Sequence, residues 1–76
     1  MLKLEKIKRN DNIIECIMYP ESSEQGCVLK CNIETKEVDC ELPKGYEYCT
    51  AHIGMAHYYL IKNKDNLPDS KIIMWY

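Results

Sequence analysis

The chain has no phenylalanine and a single tryptophan, so its aromatic character rests on six tyrosines. Tyrosine buries a ring while keeping a polar tip wet, which suits boundaries better than deep cores. Glycine is scarce as well. Gly26, Gly45 and Gly54 stand isolated, which excludes a glycine-rich loop cradling phosphates. No apolar run nears the roughly 18 residues of a membrane span. The opening Met1-Leu2-Lys3-Leu4-Glu5-Lys6 has neither a continuous apolar stretch nor a small-residue cleavage site, so it does not read as a secretory signal. A cytoplasmic chain with reduced cysteines is the expectation that follows. Repeats, low-complexity tracts and linkers are missing too, and residues 1–76 read as one small domain near the lower limit of independent folding.

Charge is modest in total, −2, but unevenly spread. Residues 1–9 carry +3, residues 10–49 carry −6, and residues 50–76 carry +1. The basic start (Lys3, Lys6, Lys8 and Arg9) is too small for the clustered face of a nucleic-acid binder. No nucleic-acid or membrane partner is expected.

What is present is alternation. Leu2 to Lys8 reads as a strand closed by the turn formers Arg9-Asn10-Asp11-Asn12. Ile13 to Tyr19 follows as a second strand, stopped by Pro20, and the polar run from Glu21 to Gly26 is a loop. Cys27 to Ile33 and Glu37 to Leu42 are a third and a fourth strand about a tight turn at Glu34-Thr35-Lys36. From Tyr48 to Lys62 the period changes: Cys49, Ile53, Ala56 and Leu60 recur as one helical face, ended by Asn63 to Asn66 and Pro68. Lys71 to Tyr76, apolar on both sides, fits a final strand. The order β-β-β-β-α-β predicts an α+β fold, an antiparallel sheet of about five strands with one helix on one face. The last strand is expected beside the first.

The five cysteines are the one dense class of reactive residue. Period-two parity turns Cys16, Cys31 and Cys40 to the side of Ile14, Met18, Leu29, Ile33, Val38 and Leu42, with Cys27 opening its strand. They read as core filling. A zinc site is disfavoured, because Cys27 and Cys31 lie about 13 Å apart on a strand and zinc thiolates bind at about 2.3 Å. No Cys-x2-Cys knuckle occurs. His52 and His57, five apart, diverge by about 140° on a helix. No metal or other cofactor is implied.

A thiol-dependent or metal-binding site using Cys49, His52 and His57 is the alternative reading. Cys49 falls near the helix N-terminus, where the dipole favours a thiolate, and His52 is adjacent on the helix surface. His57, Tyr58 and Tyr59 lie further along and complete a candidate ligand or thiol site. The orienting partner and oxyanion donors of a cysteine hydrolase are not identifiable, so an enzyme is the lesser expectation. Glu37, Asp39 and Glu41 line one strand face and read as a charged edge that resists aggregation. Gly54, inside the helix, implies close approach to the sheet or to a neighbouring chain.

The opposite sheet face carries the functional expectation. Ile13, Ile17, Tyr19, Ile73 and Trp75 project there if Ile72, Met74 and Tyr76 face the helix. Exposed aliphatic and aromatic side chains in one patch mark an interface. The expected function is non-catalytic binding, by homodimerisation through that face or by docking on a protein partner in the manner of an inhibitor or adaptor.

Overall fold

The computed structural model describes residues 1–21 and 23–74. The alternation of the second segment sets the sheet. In β2 (Ile13–Pro20), Ile14, Cys16, Met18 and Pro20 are buried, while Ile13, Glu15, Ile17 and Tyr19 take the other face. β3 (Cys27–Asn32) repeats this with Cys27, Leu29 and Cys31 inward. β1 (Leu2–Asn10), β4 (Val38–Cys40) and β5 (Lys71–Ile73) complete an antiparallel sheet of order β4-β3-β2-β1-β5. The single helix α1 (Thr50–Lys62) packs on one face, against β1 and β2. The α+β fold and the pairing of last strand with first are as the sequence predicts.

β1 runs two residues beyond the predicted Lys8, because Asn10 pairs with Ile13 across a two-residue turn. Asp11 opens that turn at φ 56°, a left-handed conformation that Asp tolerates. Between Glu5 and Lys8 the register slips by one residue, and Lys6 takes φ 53°. This bulge flips the parity, so Leu2, Leu4 and then Ile7 all point inward. The core thus joins Leu2, Leu4, Ile7, Ile14, Met18 and Leu29 to three cysteines and to Ala56 and Leu60 of α1.

β4 is shorter than the predicted Glu37–Leu42, and β5 stops at Ile73, before Met74; of the predicted Lys71–Tyr76, Trp75 and Tyr76 lie outside the described residues. Past Cys40 the chain leaves the sheet through Glu41 and Leu42 to Pro43, which cannot donate to a ladder. On the other edge, Asp69 O accepts from Ile7 N at 2.9 Å, so β5 has only Leu2 to Leu4 left to pair with. The predicted parity of the last strand is corrected here. Ile73 lies opposite Leu2 and packs against the core, whereas Ile72 lies opposite Lys3 and is exposed. Lys71 takes the other inward-side position because its stem reaches the periphery, where Nζ lies 5.8 Å from the Tyr59 ring centroid.

α1 begins at Thr50, with Cys49 as N-cap and no side-chain cap. Tyr48 stays in the preceding turn, exposed. The buried stripe runs through His52, Ala56 and Leu60, with Ile53 half-buried beside it, so the face is centred on His52. Gly54 departs from the first half of its expectation, a close approach to the sheet. A Cβ built there meets no atom within 4 Å, so it mediates no close approach to the sheet.

Candidate functional site

The sheet face opposite α1 is ordered in rows across the strands. Its central row runs Lys8, Glu15, Lys30 and Asp39, one residue per strand from β1 to β4, with signs alternating + − + −. Lys30 Nζ lies 3.5 Å from Glu15 Oε2. On one side of this row Ile17 sits between Glu5 and Val28, and Tyr19 pairs with Lys3, which in turn pairs with Ile72. On the other side is Ile13, between Asn10 and Asn32. Ile13, Val28 and Ile72 are exposed, while Ile17 and Tyr19 are half-buried.

Three of the five interface residues named from sequence, Ile13, Ile17 and Tyr19, therefore lie on this face. Ile73 lies on the helix side, and Trp75 is outside the described residues. Val28 and Ile72 join the face instead. Period-two parity within β3 already turns Val28 outward; Ile72 depended on the β5 register. The face is also partly covered by its own chain. A Cβ at Gly26 would overlap Ile17 Cγ2 and lie 2.9 Å from Tyr19 Cε1, so the glycine backbone packs directly on both side chains. Lys3 adds to this cover, its Nζ 5.8 Å from the Tyr19 ring centroid.

The five residues of the helical candidate site do not converge. Cys49 and Tyr59 are ten positions apart on α1, about 15 Å at 1.5 Å per residue. His52 is buried, and its Nε2 lies 3.1 Å from Glu21 Oε1, an anchor between α1 and the end of β2. Cys49 is buried at the N-cap, next to Tyr48, whose phenol it pushes up chiefly through the charge of its thiolate form. His57 is half-buried, with Nε2 enclosed and unpartnered among the described residues. Tyr58 and Tyr59 border a groove of about 570 Å³ with Ala51, Met55 and Ile73, which contains neither cysteine nor histidine. Lys62 Nζ lies 5.5 Å from the Tyr58 ring centroid.

The remaining cysteines gather around Leu29, inside the sheet. Cys16 and Cys40 flank it on β2 and β4, and Cys27 and Cys31 lie two residues to either side on β3. Burial pushes the Cys16 thiol up to about 12, helped by neighbouring Cys31, Cys27 and Glu15. Cys40 is also pushed up to about 12, first by desolvation and then by Cys27. Burial raises Cys27 and Cys31 as well. A hydrogen bond with Cys40 opposes the rise at Cys27, and a backbone hydrogen bond from Ile14 opposes it at Cys31. All four are free thiols. Cys27 Sγ and Cys40 Sγ are 3.4 Å apart. This contact was missed from sequence because it is diagonal and needs the register in which Leu29 faces Cys40. Among the described residues no group of three or more His, Cys, Asp or Glu could hold a metal ion, and no helix is long and apolar enough to cross a membrane. Comparison with protein-family models, with curated proteins and with solved structures finds no match.

Proposed function

We propose that the chain is a non-catalytic binding domain that self-associates through the sheet face opposite α1. The observation that carries this reading is the alternating row Lys8, Glu15, Lys30, Asp39. A two-fold axis lying in the interface along the strand direction, between β2 and β3, sets β1 of one copy over β4 of the other. Lys8 then meets Asp39, and Glu15 meets Lys30, so each cation opposes an anion. The same operation lays Ile17 on Val28 beside the row. Such a surface is complementary to itself, as an isologous interface requires. The net charge of −2 adds little repulsion between copies. Molecular extents of 32 and 21 Å give a face on the order of 700 Å², close to the ~800 Å² per partner of ordinary stable complexes.

Sedimentation velocity over a concentration series tests the reading. The wild-type chain is expected to pass from monomer to dimer, with weaker pairing at high salt. Lys30→Glu opposes like charges at the two-fold and should weaken the dimer by about tenfold or more. Val28→Asp, at a residue already 49% exposed, should do the same without unfolding the chain. A wild-type protein that stays monomeric throughout, or variants that pair as well as wild type, would sink the proposal.

A further inference from the structure

We propose that Cys27 and Cys40 form a dithiol site that closes reversibly to a disulfide by exchange with low-molecular-weight disulfides. The sulfur–sulfur contact lies on the helix side of the sheet, although the cleft beside it also borders Val28, Lys30 and Asp39 of the opposite face. The two sulfurs are in contact at 3.4 Å, and closing to a bond of ~2.05 Å shortens their separation by about 1.3 Å and draws the two Cβ atoms to within about 4.5 Å. Their positions permit that shift. Cys27 is the first residue of β3 and Cys40 the last of β4, so each has unpaired chain on one side. β4 itself is only three residues long and forms an edge of the sheet. Cys40 is half-buried, and both cysteines line a cleft of about 790 Å³ with Gln25, Gly26, Leu42 and Pro43, which gives a small reagent an approach. Cys16 and Cys31, each 1% exposed, lack that approach.

Either thiol can donate across the contact, and as a thiol Cys27 Sγ also reaches Met18 O at 3.5 Å. Burial and Cys27 push Cys40 up to about 12, whereas the contact opposes the rise at Cys27, so Cys27 is assigned the attacking role and Cys40 holds its proton. The Cys27 thiolate attacks one sulfur of the small disulfide, forming a mixed disulfide and releasing one small thiolate. That thiolate takes the Cys40 proton. Cys40 then attacks Cys27 Sγ, the mixed disulfide breaks, and the second small thiolate leaves and is protonated from water. In balance, two protein thiols and one small disulfide give one protein disulfide and two small thiols. Closure ties β4 to β3 and removes the freedom of the chain between them in the unfolded state.

The test equilibrates native protein with graded mixtures of reduced and oxidised glutathione near pH 8.5, where raised thiols ionise in part. Acid quenching, alkylation and peptide mapping then locate the bonds. The expected result is loss of two hydrogens, a single linkage between Cys27 and Cys40, and a melting temperature higher by about 10 °C. Cys40→Ser should leave glutathione attached at Cys27, and Cys16→Ala should leave the linkage intact. Five alkylated cysteines at the most oxidising ratio, or linkages scattered over all five positions, would overturn the site.

Discussion

Gly54 occupies the middle of α1 with open space where a side chain would stand. Glycine in a helix interior is less favourable than alanine by about 1 kcal/mol, from backbone entropy alone. Gly54→Ala is therefore expected to raise stability by about that amount in urea titration, and a loss would mean that the position is covered in the native protein. Cys16 gives the pH counterpart. Its folded pKa is raised from 9.0 to about 12, so the folded state keeps a proton that the unfolded chain releases. Its contribution is complete below about pH 9 and is lost as pH climbs toward 12. Stability should fall across that window, and Cys16→Ala should make the fall shallower by up to one proton. An equal alkaline slope in both proteins would rule out Cys16 as its source. That these thiols are buried was legible from parity alone, since Cys16 and Cys31 alternate in step with aliphatics. The raised pKa follows chiefly from that burial; the further push from Cys31 and Cys27 was not legible, because it depends on the strand register.

Arg9 shows how elements are joined at the far end of the sheet. Its Nη1 donates to Lys64 O at 2.9 Å and to Asp65 Oδ1 at 3.1 Å, while Nε donates to Asp11 O at 2.8 Å. One side chain thus ties the β1–β2 turn to the chain just past α1, where its positive charge suits the helix dipole. Exposure limits the value of such a contact. Arg9→Ala is expected to cost roughly 0.5–1 kcal/mol, read as a lower urea midpoint at unchanged slope. An unchanged midpoint would reduce the clamp to a surface contact. The elements themselves were largely readable from sequence: β2, β3 and α1 carry clean periods and fell within two residues of expectation. The edges did not. Ile72 and Ile73 are both apolar, so composition leaves the parity of β5 open, and the register against Leu2 decides it. The bulge at Lys6 was hidden as well, since a basic residue between Glu5 and Ile7 carries no turn signal of its own.

At the scale of the whole molecule, the two faces of the sheet divide the work. One holds α1 and nearly all the buried side chains; the other mixes charge with a few uncovered aliphatics. A sequence reading that counted only the apolar members of that second face saw a greasy panel. Pairing interleaves Lys3, Glu5, Lys8, Glu15, Lys30 and Asp39 among them, and the proposed self-association rests on this interleaving. Both edges of the sheet end in three-residue strands, which limits edge-to-edge growth. The pairing of Leu2 with Ile73 has a consequence of another kind. Directly opposed residues of antiparallel strands sit only about 5 Å apart, so Leu2 and Ile73 stand side by side although they are far apart in the chain. A circularly permuted version, with Ile73 linked to Leu2 by a few flexible residues and the chain reopened at the exposed Glu34-Thr35-Lys36 turn, should refold to the same far-ultraviolet spectrum. Failure to do so would mean that this turn must be continuous for β3 and β4 to find each other.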